Sequence, residues 1–238
     1  MDISSPWWTA GAGLLIGAVV GFAVFRARLC TFGALEDAMV GGDYRRLKVF
    51  GLALGLALMG TQLLVVADIL DPVRTNYVTA AVPWLGVVLG GGLFGLGMAL
   101  VGTCAFGSLV RLGSGDLRSL IVLLVFGAVA YATLRGVLAF LRVDYIEHVV
   151  LPLPAGTQSD LPSVLGQITG FDLRAILAAG FGVTLVSLAF ADARLRRARR
   201  LLTAGILLGL GVVGGWIATT ELVDEFTRPM APQSLTFV

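Results

Sequence analysis

The chain has 238 residues, 57% of them hydrophobic and 13% charged, with a formal net charge of +2 and a mean hydropathy of +0.92. This lies far from the composition of a soluble domain, and so small a net charge argues against a nucleic-acid-binding surface. What remains is an all-α polytopic transmembrane helical bundle, read as one membrane domain over residues 1–238.

Trp7 and Trp8 mark an interfacial aromatic belt, and the apolar run 10–25, with Gly13, Gly17 and Gly21 along it, reads as the first span. The N-terminus lacks the basic region of a cleaved signal peptide, so this span is expected to stay in the mature protein. After a mixed stretch, residues 49–70 form the second span, ended by Asp68, Asp71 and Pro72. A short loop through Arg74 and Tyr77 leads to the third span, 85–100, which has the densest glycine run: Gly90, Gly91, Gly92, Gly95 and Gly97. The fourth span is 119–141, with Arg135 inside it. Residues 142–172 hold Asp144, Glu147, His148, Asp160 and prolines and read as an extramembrane loop, with His148 unremarkable. Two further spans, 173–190 and 201–220, lie within 173–220, joined by the basic run 194–200, a topology determinant that can also touch anionic lipid.

If all six spans are simple crossings, Arg26, Arg28, Arg45, Arg46, Lys48, Arg111, Arg118 and the run 194–200 share one side, and only Arg74, Arg142, Arg174 and Arg228 lie opposite. The positive-inside rule then places the N-terminus outside and the loops that follow the first and third spans in the cytoplasm.

Residues 101–118 interrupt the apolar pattern with glycines, hydroxyls, a thiol and two arginines. So much glycine weakens a helix, and freed backbone at membrane depth is tolerated only inside protein or beside a watery cavity. The stretch therefore reads as a pore lining built on broken or re-entrant helices. It has a counterpart. Cys30-Thr-Phe-Gly-Ala-Leu35 aligns with Cys104-Ala-Phe-Gly-Ser-Leu109, Gly42-Asp-Tyr-Arg-Arg-Leu47 with Gly115-Asp-Leu-Arg-Ser-Leu120, and Gly17 and Gly21 with Gly91 and Gly95. These matches define an internal repeat with units at approximately 11–70 and 85–141. Many transporters build a site where such repeats meet.

Cys30 and Cys104 are the only cysteines, and both precede a Phe-Gly at matched positions. A single membrane cysteine is most simply a packing residue, but recurrence favours a lining role, since a thiol offers a weak donor and a polarizable sulfur to a soft anion. No disulfide between them is expected. Gly102 and Gly107 bracket Cys104 and can present backbone N–H groups to an anion, whereas the Gly-x-x-x-Gly pairs at 17/21, 51/55, 91/95 and 211/215 read as helix-packing sites. Thr103 and Phe106 belong to the same turn. Arg111 and Arg118, with Arg45 as the match of Arg118, are either anchors or attractors that draw an anion toward the turn. Asp43 and Asp116 suit helix capping, and Glu36 and Asp37 suit the aqueous surface. No Ser-His-Asp set, zinc-ligand spacing or phosphate-binding loop occurs, so neither enzymatic chemistry nor a cofactor or metal is expected.

At Phe25-Arg-Ala-Arg-Leu-Cys-Thr-Phe-Gly33 and Phe94-Gly-Leu-Gly-Met-Ala-Leu-Val-Gly-Thr-Cys-Ala-Phe-Gly-Ser-Leu109 the chain resembles the YeeE/YedE family of sulfur-compound transporters, over residues 11–135. The resemblance implies an hourglass-shaped protein whose cysteine turns line the waist and pass the anion by weak S–H contacts, with Cys104 the first candidate and Cys30 the second. It also implies association with small sulfur-carrier proteins of the TusA type. Family members carry a second half with its own cysteine turns. The expectation is therefore either a sequence that continues past Val238 or a half that pairs, as with a second copy. Together these readings predict a multi-pass inner-membrane permease for thiosulfate or a related small sulfur-containing anion. The alternatives are a redox or sulfur-relay protein using Cys30 and Cys104 covalently and a non-transporting scaffold.

Overall fold

The computed structural model describes residues 5–71, 81–146, 148–152 and 174–221. The readings made on Arg74, Tyr77, Glu147, Asp160 and Arg228, on residues 153–172 and on the tail after Glu221 lie outside them. The described chain is built almost wholly from helices. These are α1 (Ser5–Ala27), α2 (Thr31–Met39), α3 (Arg45–Val66), α4 (Trp84–Val101), α5 (Ala105–Gly113), α6 (Leu117–Arg135), α7 (Val137–Leu141), α8 (Arg174–Ala191), α9 (Ala193–Arg197) and α10 (Arg199–Glu221). A π-helical turn, Arg142–Ile146, follows α7. Two-residue strands at Ala81–Val82 and Leu151–Pro152 pair antiparallel just before α4.

Among the described residues, five stretches are long and apolar enough to cross a bilayer: Ala10–Met39, Arg45–Val66, Trp84–Gly113, Leu117–Arg135 and Arg199–Thr220. The sixth expected span appears as the shorter apolar stretch Ala175–Ala191, about 26 Å of helix against a hydrocarbon core of about 30 Å. The described residues are almost wholly helical, and the protein is a multi-pass membrane protein.

The chain divides into two compact units. The first holds α1, α3, α8, α9 and α10, with α3 packed on α8 and α10, and α10 also on α1. Helices in lipid gain little from apolar burial, because the lipid is equally apolar; close backbone approach and van der Waals contact hold them together. Glycine provides that approach here. A Cβ at Gly55 would lie 2.8 Å from the Gly182 carbonyl oxygen, one at Gly182 2.6 Å from Met59 Cγ, one at Gly209 2.8 Å from the Ala53 carbonyl oxygen, and one at Gly211 2.6 Å from Val20 Cγ2. Gly17 and Gly21 meet nothing within 4 Å. Val24, Leu52, Ala204 and Leu195 are buried among these helices, and Trp216 packs with Leu64 and Leu70. At the start of α3, Lys48 Nζ donates to Asp192 Oδ2 at 2.6 Å, and Asp192 caps α9 by accepting from the Arg194 and Leu195 N–H groups.

The second unit holds α2, α4, α5, α6, α7, the π-helical turn and the paired strands, with α5 packed on α6 and α6 on α7. Its arrangement is inverted relative to a soluble domain. No residue of α4 is buried, and Ser119 is the buried residue of α6, while Leu93, Leu96, Leu100, Ile121 and Leu124 are exposed. The buried residues are instead small or weakly polar: Ala34, Ala38, Thr103, Cys104, Gly107, Ser108 and Ser119, together with Leu29. Apolar outside and polar inside suits a hydrocarbon surround.

Candidate functional site

Both cysteine motifs follow one local plan. α1 stops at Ala27, where Arg28 takes a left-handed φ of +50°, and Cys30 follows in extended backbone as the residue preceding α2. α4 stops at Val101, where Gly102 takes φ +71° and its N–H bonds the Met98 carbonyl at 2.9 Å. Cys104 follows, again extended, at the head of α5. In each case the residue two before the cysteine is left-handed, the cysteine stands at the N-cap position of a nine-residue helix, and a left-handed glycine follows that helix: Gly42 at +63° and Gly115 at +95°. Non-glycine residues rarely enter this region, so Arg28 is held there at some cost where Gly102 is not.

The two turns meet inside the second unit. Cys30 Sγ lies 3.9 Å from Cys104 Sγ and 3.5 Å from Thr103 Oγ1, with either group able to donate. The Gly107 N–H donates to Cys104 Sγ at 3.2 Å, and Thr103 Oγ1 donates to the Cys104 carbonyl at 3.4 Å. Both thiols are free, at roughly twice the S–S bond length of a disulfide. Cys30 is half-buried and Cys104 buried. Gly107 has no room for a side chain: a Cβ there would collide with Thr103 Oγ1 and lie 2.9 Å from Cys30 Sγ. The result is a small knot of two sulfurs and a hydroxyl at the N-terminus of α5, where unpaired peptide dipoles set partial positive charge.

The sequence-derived candidates divide accordingly. Cys30, Thr103, Cys104 and Gly107 are in mutual contact. Gly102 forms the turn that precedes them, and Phe106 is half-buried on α5. Arg111 and Arg118 are exposed, near the end of α5 and the start of α6. The N–H groups of Gly102 and Gly107 are both engaged, by the Met98 carbonyl and Cys104 Sγ, and do not stand bare. Asp116 caps α6, accepting from the Arg118 N–H at 3.1 Å and the Ser119 hydroxyl at 3.2 Å. Asp43 stands one residue before the Tyr44 cap of α3. Glu36 and Asp37 lie on α2, and His148 Nδ1 meets the Val143 carbonyl at 3.0 Å.

A cleft of about 850 Å³ runs between α4 and α6, walled by Leu93, Phe94, Met98, Phe126 and Val129 and ending at Thr103 and Ser108. Its walls are mostly apolar, with Thr103, Ser108 and Thr133 the hydroxyl-bearing residues among them. Ser108 escaped the sequence reading because its aligned position in the other motif is Ala34. The signal that could have found it is the Cys-x-x-x-Ser spacing, which puts thiol and hydroxyl on one face of α5.

A multi-pass helical protein with two broken-helix thiol turns meeting at a buried polar knot has the build of a small-solute membrane protein. Residues 26–237 match the model of the Sulphur transport family, and the chain belongs to that family. It is 36% identical over 115 residues to the thiosulfate transporter TsuA of Escherichia coli K12, a stretch covering 48% of this chain and 31% of that protein. It is also 36% identical over 131 residues to the thiosulfate transporter TsuA of Spirochaeta thermophila, covering 54% of this chain and 37% of that one. The aligned stretches thus span about a third of those relatives' length.

Proposed function

We propose that the chain is a permease, or the thiol-bearing part of one, for uptake of thiosulfate or a related small sulfur-containing anion across the inner membrane, without enzymatic turnover. The observation that carries this reading is the pair of sulfurs 3.9 Å apart at the N-terminus of a helix, in a unit whose outer surface is apolar. A soft anion there meets polarizable sulfur, weak S–H donors and partial positive charge with no fixed ion pair. Attraction of that kind is enough to enter and weak enough to leave. A buried arginine partner would hold a dianion too firmly for release.

Cys104 is the central contact and Cys30 the second. Thr103 and Gly107 hold the two thiols together, Gly102 makes the turn, and Phe106 completes it. Arg111 and Arg118 draw the anion toward the membrane surface. A TusA-like sulfur carrier is the proposed recipient, and a second half or a second copy the proposed complement.

The test is uptake of labelled thiosulfate by cells that have no other route for it. Cys104→Ala is expected to reduce uptake to near background at unchanged membrane abundance, and Cys30→Ala to reduce it less. Full uptake by Cys104→Ala removes the site assignment. The same 3.9 Å separation also favours a second reading, a covalent sulfur relay through the two thiols. Mass spectrometry after thiosulfate exposure separates the two: a persulfide on Cys30 or Cys104 supports the relay, and unmodified thiols in cells that take up thiosulfate exclude it.

A further inference from the structure

Several hydroxyl groups on the described helices are returned to the backbone. Thr133 bonds the Val129 carbonyl at 2.8 Å, Thr184 the Gly180 carbonyl at 2.7 Å, and Thr220 the Trp216 carbonyl at 2.8 Å. Each bond runs back one turn, the usual way a helical Ser or Thr satisfies itself. Ser119 instead bonds the Asp116 carboxylate. Ser108 does neither. It is about 1% exposed, and among the described residues its Oγ finds no partner.

The carbonyl one turn back, that of Cys104, accepts the Ser108 N–H at 2.9 Å and the Thr103 hydroxyl at 3.4 Å, and the Ser108 hydroxyl does not join them. A buried hydroxyl with no partner opposes folding, and alanine at this position would remove the opposition. Ser108 lies one turn after Cys104 on the same face of α5, and with Thr103 it is among the residues lining the cleft.

We propose that Ser108 is a specificity-determining residue: its hydroxyl donates to an oxygen of the anion while the anion's terminal sulfur meets Cys104 and Cys30. This rests on the permease reading and extends it, because it assigns the two ends of the cargo to different groups. The substrate class is then an oxyanion that also carries a soft sulfur, recognised at both ends. A sulfur species without oxygen gains nothing from Ser108.

Opposite signs in two measurements test the proposal. In full-length protein, Ser108→Ala is expected to raise the KM for thiosulfate uptake about tenfold, equivalent to about 1.4 kcal/mol. The Tm of the same purified variant is expected to equal or exceed that of the wild type. Ser108→Cys keeps nearly the same size with a weaker donor and is expected to fall between serine and alanine. Ser108→Ala with unchanged KM overturns the proposal. So does a lowered Tm, which would mean the hydroxyl is a structural bond. The wild type is the control that separates this inference from the reading beneath it. If wild-type protein neither takes up thiosulfate nor gains Tm in its presence, the permease reading fails and Ser108 loses its cargo. If the wild type responds and Ser108→Ala responds identically, only the Ser108 assignment fails.

Discussion

The two units use the same residue type in opposite ways. In the first, glycine is a contact surface: Gly55, Gly182, Gly209 and Gly211 each sit where a methyl group would strike a neighbouring helix. In the second, Gly90, Gly91, Gly92, Gly95 and Gly97 of α4 meet nothing within 4 Å, while Gly107 is tight, pressed against Thr103 and Cys30. The first unit is therefore held by backbone approach between long helices, and the second is organised around a polar knot at a helix break. Damage to the first should register as lost stability, and damage to the second as lost transport in a protein that still folds.

The largest expected effect is at Cys104. Removing its sulfur takes away the group that accepts from Gly107 and faces Cys30. Loss of one contact to a charged ligand corresponds to roughly 10–100-fold in affinity. Cys104→Ala is thus expected to lower uptake by that factor with a near-normal Tm. A large fall in Tm would make the knot a packing device and erase the contrast between the units.

Next comes Gly55→Ala in the first unit. Its Cβ has backbone on the far side, the Gly182 carbonyl oxygen at 2.8 Å, so α3 and α8 must separate, at a cost of about 1–3 kcal/mol typical of overpacking. Thermal unfolding of the purified variant should show the loss, and the KM for uptake by the surviving folded protein should be unchanged.

Smaller effects are expected at the two left-handed positions. Gly102→Ala forces a side chain into φ +71°, at about 1–2 kcal/mol, with open space around it so that conformation alone is tested. Arg28→Gly reverses the situation at φ +50° and should raise Tm slightly. Opposite signs at matched positions would tie the cost to the backbone of the turn and not to the side chains near it.

Much of this was legible from pattern. The long helices and the paired helix breaks follow from apolar length and from the recurrence of Cys-x-Phe-Gly and Gly-Asp. The expected capping role of Asp116 matches its bonds to Arg118 and Ser119. Three things were not legible. Approach of Cys30 to Cys104 across 73 intervening residues is a tertiary fact that no local periodicity encodes. The division of glycines into tight and open ones depends on which helix lies opposite, and Gly17-x-x-x-Gly21 reads the same as Gly51-x-x-x-Gly55 in sequence. The unpartnered hydroxyl of Ser108 depends on what surrounds it in three dimensions, which spacing alone does not give.

The smallest effect sharpens the comparison at the edge of the first unit. The Lys48 ammonium bonded to Asp192, together with the Arg194 N–H, holds the Asp192 carboxyl below its ordinary value of 3.8. A carboxyl lowered in the folded protein contributes stability that is complete above that ordinary value, and the contribution disappears as pH falls through the lowered one. Asp192→Asn keeps the cap on α9 but removes the charge facing Lys48. Because the pair lies at the surface, with side chains 37% and 16% exposed, the expected loss in Tm near neutral pH is at most about 2 °C. The difference between wild type and variant should shrink toward zero as pH falls through the lowered value, and salt should narrow it at neutral pH. Transport is expected to stay unchanged throughout, since neither group belongs to the thiol-bearing unit; a pH-dependent change in KM from this substitution would show that the two units do not divide stability and passage between them.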